Sequence, residues 1–160
     1  MIRRILFTAL ALTAGAGTLA IGAGDAHAIT RSAVVARAKA FAFHPWTCTD
    51  QNLTASCAGG YQSVYVPGDY VGLPYDWGGY MGLFEFDQGI DAGKGAGSYP
   101  DDGVLSCTVG LDCSGFVSKA WATGHYTTSN LADTSTMIDV SALLAGDVFN
   151  KACYHVAMFS

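Results

Sequence analysis

The spacing of apolar residues along the chain predicts two amphipathic helices. In the segment 32–43, Val34, Ala38 and Phe41 recur at helical intervals and would share one face. A second helical pattern starts at Cys113 and would end at Gly124. Its apolar positions are Phe116, Val117, Ala120 and Trp121. The first helix is expected to pack on the core formed by the rest of the chain.

Two short stretches predict β-strands. One is at 62–66 and the other at 154–159, where His155, Ala157 and Phe159 would lie on one face. An imidazole on an apolar strand face costs free energy unless it has a partner. His155 is therefore expected either to bond to a hydroxyl or carbonyl group of the core or to take part in chemistry.

The N-terminal segment has the order of regions typical of a secretory signal peptide. Arg3 and Arg4 precede an apolar run that extends to about Gly22, and Ala26 and Ala28 offer small side chains to a signal peptidase. An uncleaved membrane anchor is the competing interpretation, but the run is rich in Gly, Ala and Thr and no basic cluster follows it. We expect cleavage after Ala28 and export to the cell envelope, the periplasm or the medium.

Composition and charge exclude several classes of protein. The chain has 160 residues, of which 51% are hydrophobic and 13% charged, and its formal net charge is −5. This length corresponds to about one domain. Without a basic patch, nucleic-acid binding is disfavoured, and the aromatic content of 12% argues against disorder. We expect a monomer with no nucleic-acid partner and no membrane association after signal cleavage.

An odd number of cysteines in an exported chain leaves one thiol unpaired. The five are Cys48, Cys57, Cys107, Cys113 and Cys153. Cys113 would lie in the first helical turn, where unpaired N–H groups and the helix dipole favour a thiolate. The alternative is that Cys113 is a buried half-cystine. If Cys113 is free, the other four can pair in three ways, and Cys48–Cys57 with Cys107–Cys153 is the first expectation because Cys48–Cys57 closes a short loop.

Histidines supply the candidate bases for such a nucleophile. His27 leaves with the signal peptide, whereas His44 and His125 follow predicted helices and are interpreted as caps or surface groups. His155 lies on the later strand. A cysteine on a helix followed by a histidine on a strand is compatible with a papain-like catalytic pair.

Three segments in a fixed order resemble a known enzyme family. They are Tyr-Asp-Trp-Gly-Gly at 75–79, Asp-Cys-Ser-Gly-Phe at 112–116, and Gly-Asp at 146–147 followed by His-Val at 155–156. Together they resemble the NlpC/P60 family of cell-wall cysteine peptidases over roughly residues 70–160. The middle segment is the most specific of the three.

The resemblance implies an α+β fold and a role for each matching residue. The fold would be a papain-like domain in which the nucleophile helix packs on an antiparallel sheet. Cys113 would be the nucleophile and His155 the general base. Tyr75 resembles the family tyrosine that lies near the reacting carbonyl. Asp112 and Ser114 flank the nucleophile and are expected to contact the free amine of the substrate.

The implied reaction is hydrolysis of peptide bonds in peptidoglycan stem peptides, commonly between D-glutamate and a diamino acid. No metal and no organic cofactor would take part. One alternative is a CHAP-type peptidoglycan amidase, which also places Cys before His. Another is a catalytically inactive relative that binds the wall or regulates a partner. The sequence does not determine which bond is cleaved. It also does not determine whether the substrate is the cell's own wall or the wall of a rival.

The chain departs from the family pattern in two places. The third polar residue that orients the imidazole would stand about a dozen residues beyond His155, but the chain stops at Ser160. We therefore interpret the chain as a fragment whose C-terminal strands are missing. Residues 81–109 form an insertion, predicted as a solvated loop, whose glycines and aspartates lack phosphate-loop or EF-hand spacing.

These expectations divide the chain into three parts. Residues 1–28 are the signal peptide, 29–69 are an N-terminal helix and disulfide loop packed on the core, and 70–160 are the incomplete catalytic domain. Within the motif at 75–79, Trp77 is expected to pack under the site, and the two glycines are expected to form a turn. Cys107 is expected to fasten the insertion to the rest of the molecule.

Overall fold

The computed structural model describes residues 29–160, so the predicted signal peptide at 1–28 lies outside the described residues. The described chain combines three α-helices with small two-stranded sheets, most of them antiparallel. This mixed content agrees with the α+β class. Over the same residues, no helix has both the length and the apolar character needed to cross a membrane.

The helices and strands are short and alternate along the chain. They are α1 (Arg31–Ala42), β1 (Pro45–Cys48), β2 (Gly68–Val71), α2 (Leu83–Asp91), β3 (Gly95–Ala96), β4 (Thr108–Val109), α3 (Cys113–Ala120), β5 (Val148–Lys151) and β6 (His155–Met158). β1 pairs with β2 and β5 with β6, both antiparallel, whereas β3 and β4 are parallel. Single 3₁₀ turns lie at Asp50–Leu53, Leu131–Thr134 and Val140–Ala142.

Helix α1 begins after Thr30, whose hydroxyl accepts a hydrogen bond from the Ala33 N–H at 3.2 Å. Its buried residues are Val34, Ala38 and Phe41, which confirms the predicted face. Val34 and Ala38 pack against α3. The first predicted helix is therefore confirmed, shifted by one residue.

Helix α3 packs on the β5–β6 hairpin. Val117 of α3 and Val156 of β6 are buried in one cluster with Leu131. The Trp121 Nε1–H at the end of α3 donates to the carbonyl oxygen of Gly146 at 2.9 Å. Because Gly146 in turn donates its N–H to Phe159, α3 and the far end of the hairpin are joined by hydrogen bonds as well as by apolar contacts.

The strand predicted at 62–66 is wrong. The chain is irregular there, and the strand that pairs with β1 is β2. Packing explains the shift, because Tyr70 of β2 stacks on Trp46 of β1 with ring centroids 5.0 Å apart. β2 spans the domain boundary that the sequence placed between residues 69 and 70.

The insertion at 81–109 is not a solvated loop, and that prediction is wrong. It contains α2, β3 and β4, and Phe86 and Ile90 of α2 lie in the largest apolar cluster of the molecule. Trp46 and Cys48 of β1 belong to the same cluster. The insertion thus supplies core residues because leucine, phenylalanine and isoleucine recur at helical spacing among its glycines.

The expected disulfide pairing is also wrong. Cys57 bonds to Cys107, with their Cα atoms 5.7 Å apart. Cys48, Cys113 and Cys153 are free, and Cys48 is only 1% exposed because its side chain points into the core. The expectation that Cys107 fastens the insertion is confirmed, since its partner lies in the N-terminal part of the chain.

Breaking the Cys57–Cys107 bond should lower the free energy of unfolding by about 2–4 kcal/mol, because the bond closes a long loop of the unfolded chain. Urea unfolding of Cys57→Ser/Cys107→Ser against the wild type measures this. Cys153→Ser, which alters an exposed free thiol, is the matched control. Equal stability of the double variant and the wild type would contradict the expectation.

Candidate active site

A groove of about 440 Å³ lies where the end of α1, the start of α3 and strand β6 meet. Its lining includes Tyr75, Asp112, Cys113 and His155. Four of the five predicted site residues, which come from three separate parts of the sequence, therefore share one concave surface. The fifth, Ser114, lies outside this lining.

Cys113 is the first residue of α3, and its thiol is free and partly exposed. The helix starts there because Asp112 caps it, accepting the Gly115 N–H on its side chain at 2.5 Å and the Phe116 N–H on its carbonyl oxygen at 2.9 Å. Among residues 29–160, no acceptor takes the N–H of Cys113 itself. A backbone donor and a thiol are thus presented together at the positive end of a helix dipole.

The segment at 74–79 fixes the backbone that leads into α3. Leu111 donates its N–H to the Pro74 carbonyl oxygen at 3.0 Å, and Asp112 donates to that of Gly79 at 3.1 Å. A Cβ atom on Gly115 would collide with the Gly79 carbonyl oxygen. Gly115, two residues after Cys113, therefore allows close approach of another backbone.

Tyr75 lies in the groove next to Cys113. Its ring stacks on Tyr99, with centroids 5.8 Å apart and an interplanar angle of 28°. Burial raises the pKa of the Tyr75 phenol to about 12, and the neighbouring Cys113 and Asp112 add to this effect. The phenol carries its proton at neutral pH, as it would at its ordinary pKa of about 10, and can act as a hydrogen-bond donor.

His155 begins β6 and is exposed on the groove side, opposite Lys151 of β5. His155 and Ala157 share one face of the strand, as predicted, but this face points outward, whereas Val156 and Met158 point into the core. The cost of burying an imidazole therefore does not arise. Within the described part of the chain, no side chain bonds to this imidazole, which leaves both ring nitrogens accessible.

The side chains that flank Cys113 bond to each other. Ser114 is 4% exposed, and its hydroxyl donates to Asp112 Oδ1 at 2.9 Å. The same oxygen caps α3, so these two residues hold the helix start in place.

Trp77 is 39% exposed and outside the groove, so the prediction that it packs under the site is wrong. The predicted glycine turn is confirmed by Gly78, whose φ is +77°.

His44 and His125 both lie away from the groove. His44 Nε2 is 2.6 Å from Asp87 Oδ1 of α2. The His125 ring stacks on Tyr80 at 4.6 Å, and the Lys119 ammonium lies 3.8 Å from the centre of the same tyrosine ring. The exposed His125 agrees with its interpretation as a surface group, whereas His44 is neither a cap nor a surface group but a partly buried partner of Asp87.

Asp76 is a buried charged residue that sequence reasoning missed. It is 4% exposed, and its Oδ1 accepts the Ser98 hydroxyl at 2.6 Å and the Thr108 hydroxyl at 2.7 Å. Both hydroxyls belong to the insertion. The one available signal was a carboxylate placed between the two aromatic residues of the motif at 75–79. Burial raises the pKa of Asp76 above its ordinary value of 3.8, although the two hydroxyls oppose the effect.

This raised pKa predicts a pH dependence of stability. A raised pKa in the folded state means that the fold favours the neutral carboxyl. The contribution of Asp76 to the free energy of unfolding is therefore complete below pH 3.8 and is lost as the pH rises through the pKa of the folded state. The wild type should therefore lose unfolding free energy relative to Asp76→Asn as the pH rises from the acid range towards neutrality. Urea unfolding at several pH values measures the difference.

The pH dependence that other carboxylates contribute to stability is the same in the wild type and in Asp76→Asn, so it cancels in that comparison. The Arg31 side chain, bonded at 2.6 Å, lowers the pKa of Asp147, which gives the opposite pH dependence, but both variants keep this pair. The difference in unfolding free energy between the wild type and Asp76→Asn could instead stay constant with pH. That result would show that Asp76 titrates at the same pH in the folded and unfolded states.

No protein-family model, curated protein or solved structure matches this chain. A functional assignment therefore depends on the geometry and chemistry of the groove, together with the resemblance of the three sequence segments. Of the five residues that the resemblance singles out, Tyr75, Asp112, Cys113 and His155 line the groove and Ser114 does not.

Proposed function

We propose that this protein is an exported cysteine peptidase of the NlpC/P60 type that hydrolyses peptide bonds in peptidoglycan stem peptides. One observation carries the proposal: Cys113, at the N-terminus of α3, and His155, on β6, line the same groove. In this proposal, the packing of α3 on the antiparallel β5–β6 hairpin is the papain-like core.

The first half of the reaction forms a thioester. His155 accepts the Cys113 thiol proton, and the thiolate forms a C–S bond to the carbonyl carbon of the substrate. The carbonyl oxygen becomes an oxyanion. When the tetrahedral intermediate collapses, the C–N bond breaks and His155 returns its proton to the leaving amine.

The second half hydrolyses the thioester. His155 takes a proton from water, the resulting hydroxide attacks the acyl carbon, and the C–S bond breaks. The acid product leaves, and the sulfur regains a proton from the imidazolium. The cysteine and the histidine are thus restored, and one water molecule is consumed for each peptide bond.

In this proposal, two donors stabilise the oxyanion. One is the N–H of Cys113, which has no acceptor among the described residues, and the other is the phenol of Tyr75, which is protonated at neutral pH. One donor of this kind contributes about 3–4 kcal/mol to transition-state stabilisation. No metal is required for these steps.

Two features support the exported location and the wall substrate. The sequence pattern at 1–28 predicts export, and the Cys57–Cys107 disulfide is typical of an oxidising compartment. The groove combines an apolar floor with a carboxylate and an imidazole, which suits a peptide substrate that carries charged groups.

The test is digestion of purified peptidoglycan, with sugar strands and stem peptides still joined, and the products are identified by mass spectrometry. We expect cleavage at the D-glutamyl–diamino acid bond, and loss of cleavage when a thiol alkylator labels Cys113. Release of intact stem peptides from the sugar would instead indicate a CHAP-type amidase. Binding to the wall without any cleavage would indicate an inactive relative, and either result would overturn the proposal.

A further inference from the structure

We propose that Asp76 is a positioning residue for Tyr75, and that the insertion at 81–109 acts on the groove through it. The inference rests on the proposed function, because it concerns the tyrosine of that site. It goes further by giving the insertion a role in catalysis that its sequence did not indicate.

The backbone around Tyr75 is held from both sides. Tyr75 forms a parallel bridge with Leu111, and Asp76 forms one with Ser98. Asp76 donates its N–H to the Leu111 carbonyl oxygen at 3.1 Å, while Ser98 donates its N–H to the Tyr75 carbonyl oxygen at 3.0 Å. Tyr75 therefore lies between the residues that precede the nucleophile and the insertion.

The Asp76 side chain closes this arrangement on the insertion side. Ser98 and Thr108 are 1% and 3% exposed, and both hydroxyls reach Asp76 Oδ1. The Ser98 hydroxyl also accepts the Trp77 N–H at 3.1 Å. Removing the carboxylate would leave the Ser98 hydroxyl without its acceptor in a buried site, so the insertion would have to shift.

Such a shift would reach the Tyr75 ring directly. Tyr99 follows Ser98 in the chain and stacks on Tyr75. The position of Ser98 thus determines where Tyr99 lies, and Tyr99 covers one face of the tyrosine whose phenol donates to the oxyanion. Misplacement of a catalytic donor by about 1 Å can cost about 100-fold in rate.

The experiment compares Asp76→Ala with Asp76→Asn, which keeps an acceptor oxygen, in the full chain. We expect Asp76→Ala to lower kcat about 10- to 100-fold with KM changed less than about threefold, and Asp76→Asn to restore most of kcat. In the Tyr75→Phe background, Asp76→Ala should have little further effect on kcat, because the group that it positions is absent. Ser106→Ala, an exposed serine of the insertion, is the matched control.

A second readout does not depend on activity. With ¹³C-labelled tyrosine, and Tyr75→Phe used to assign its signal, the wild-type Tyr75 ring should show nuclear Overhauser contacts to Tyr99 and remain a phenol at about pH 11. Asp76→Ala should lose the contacts, and its Tyr75 phenol should titrate at a lower pH than in the wild type because the ring is less covered. Thr108→Val, which removes one of the two bonds to Asp76, serves in place of Asp76→Ala if that variant does not fold.

The outcomes separate this inference from the proposed function. If the wild type cleaves no peptide but Asp76→Ala still disturbs Tyr75, the positioning role stands and the reaction is wrong. If the Tyr75 signal is unchanged in Asp76→Ala, or if the two substitutions lower kcat additively, Asp76 has a structural role only and the inference is overturned.

Discussion

Replacing Cys113 with alanine should reduce cleavage of peptidoglycan peptides by roughly 10⁵–10⁶-fold, since removal of a nucleophile leaves only binding and oxyanion stabilisation. The fold should persist, because the Cys113 side chain is partly exposed and α3 is capped by Asp112 rather than by the thiol. Rates are measured by product formation on a defined stem peptide, and far-ultraviolet circular dichroism checks the fold.

The chain itself provides controls for that experiment. Cys153 is a free thiol in the exposed turn between β5 and β6, outside the groove, so Cys153→Ala should cleave at the wild-type rate. Alkylation should label Cys113 and Cys153 in the wild type, and only labelling of Cys113 should stop cleavage. A fully active Cys113→Ala variant would exclude the thioester mechanism.

Replacing His155 with alanine should lower the rate by roughly 10²–10⁴-fold, which is the usual contribution of a general acid–base group. The imidazole is exposed and bonds to no side chain within residues 29–160, so stability should change little. Alkylation of Cys113 at neutral pH should slow in parallel, because the imidazole is the base that would accept the thiol proton.

Two other histidines serve as controls for the His155→Ala result. His44 bonds to Asp87 and His125 stacks on Tyr80, and neither lines the groove. His44→Gln and His125→Gln should therefore retain wild-type rates. If His155→Ala kept both the cleavage rate and the alkylation rate, the imidazole would have no role in activating Cys113.

Helix α1 shows how far local sequence patterns reach. Its apolar face and its length depend on residues only three or four positions apart, so the periodicity of the sequence located the helix to within one residue. The start of α3 was located for the same reason, next to its cap Asp112. The helix ends at Ala120 and not at Gly124, since Ala122 already has a left-handed φ of 56°. The α2 helix was missed because the surrounding glycines suggested a loop, although Phe86 and Ile90 keep helical spacing.

The strand at 154–159 shows where sequence patterns are ambiguous. Both faces of β6 carry apolar residues, so alternation alone did not choose which one is buried. The choice depends on α3, whose Val117 packs on Val156 and leaves His155 outside. The prediction was right that the strand exists and that His155 and Ala157 share a face, and wrong that this face is buried.

The sequence by itself determined the two helices that flank the groove, the presence of β6, and the residues whose chemistry suits a cysteine peptidase. Tertiary structure alone decided that Cys113 and His155 share a groove, that Cys57 pairs with Cys107, and that Asp76 binds the insertion. The physical reason is range. Helical periodicity and capping act between residues a few positions apart, whereas disulfide pairing, burial and groove formation depend on which distant segments pack together.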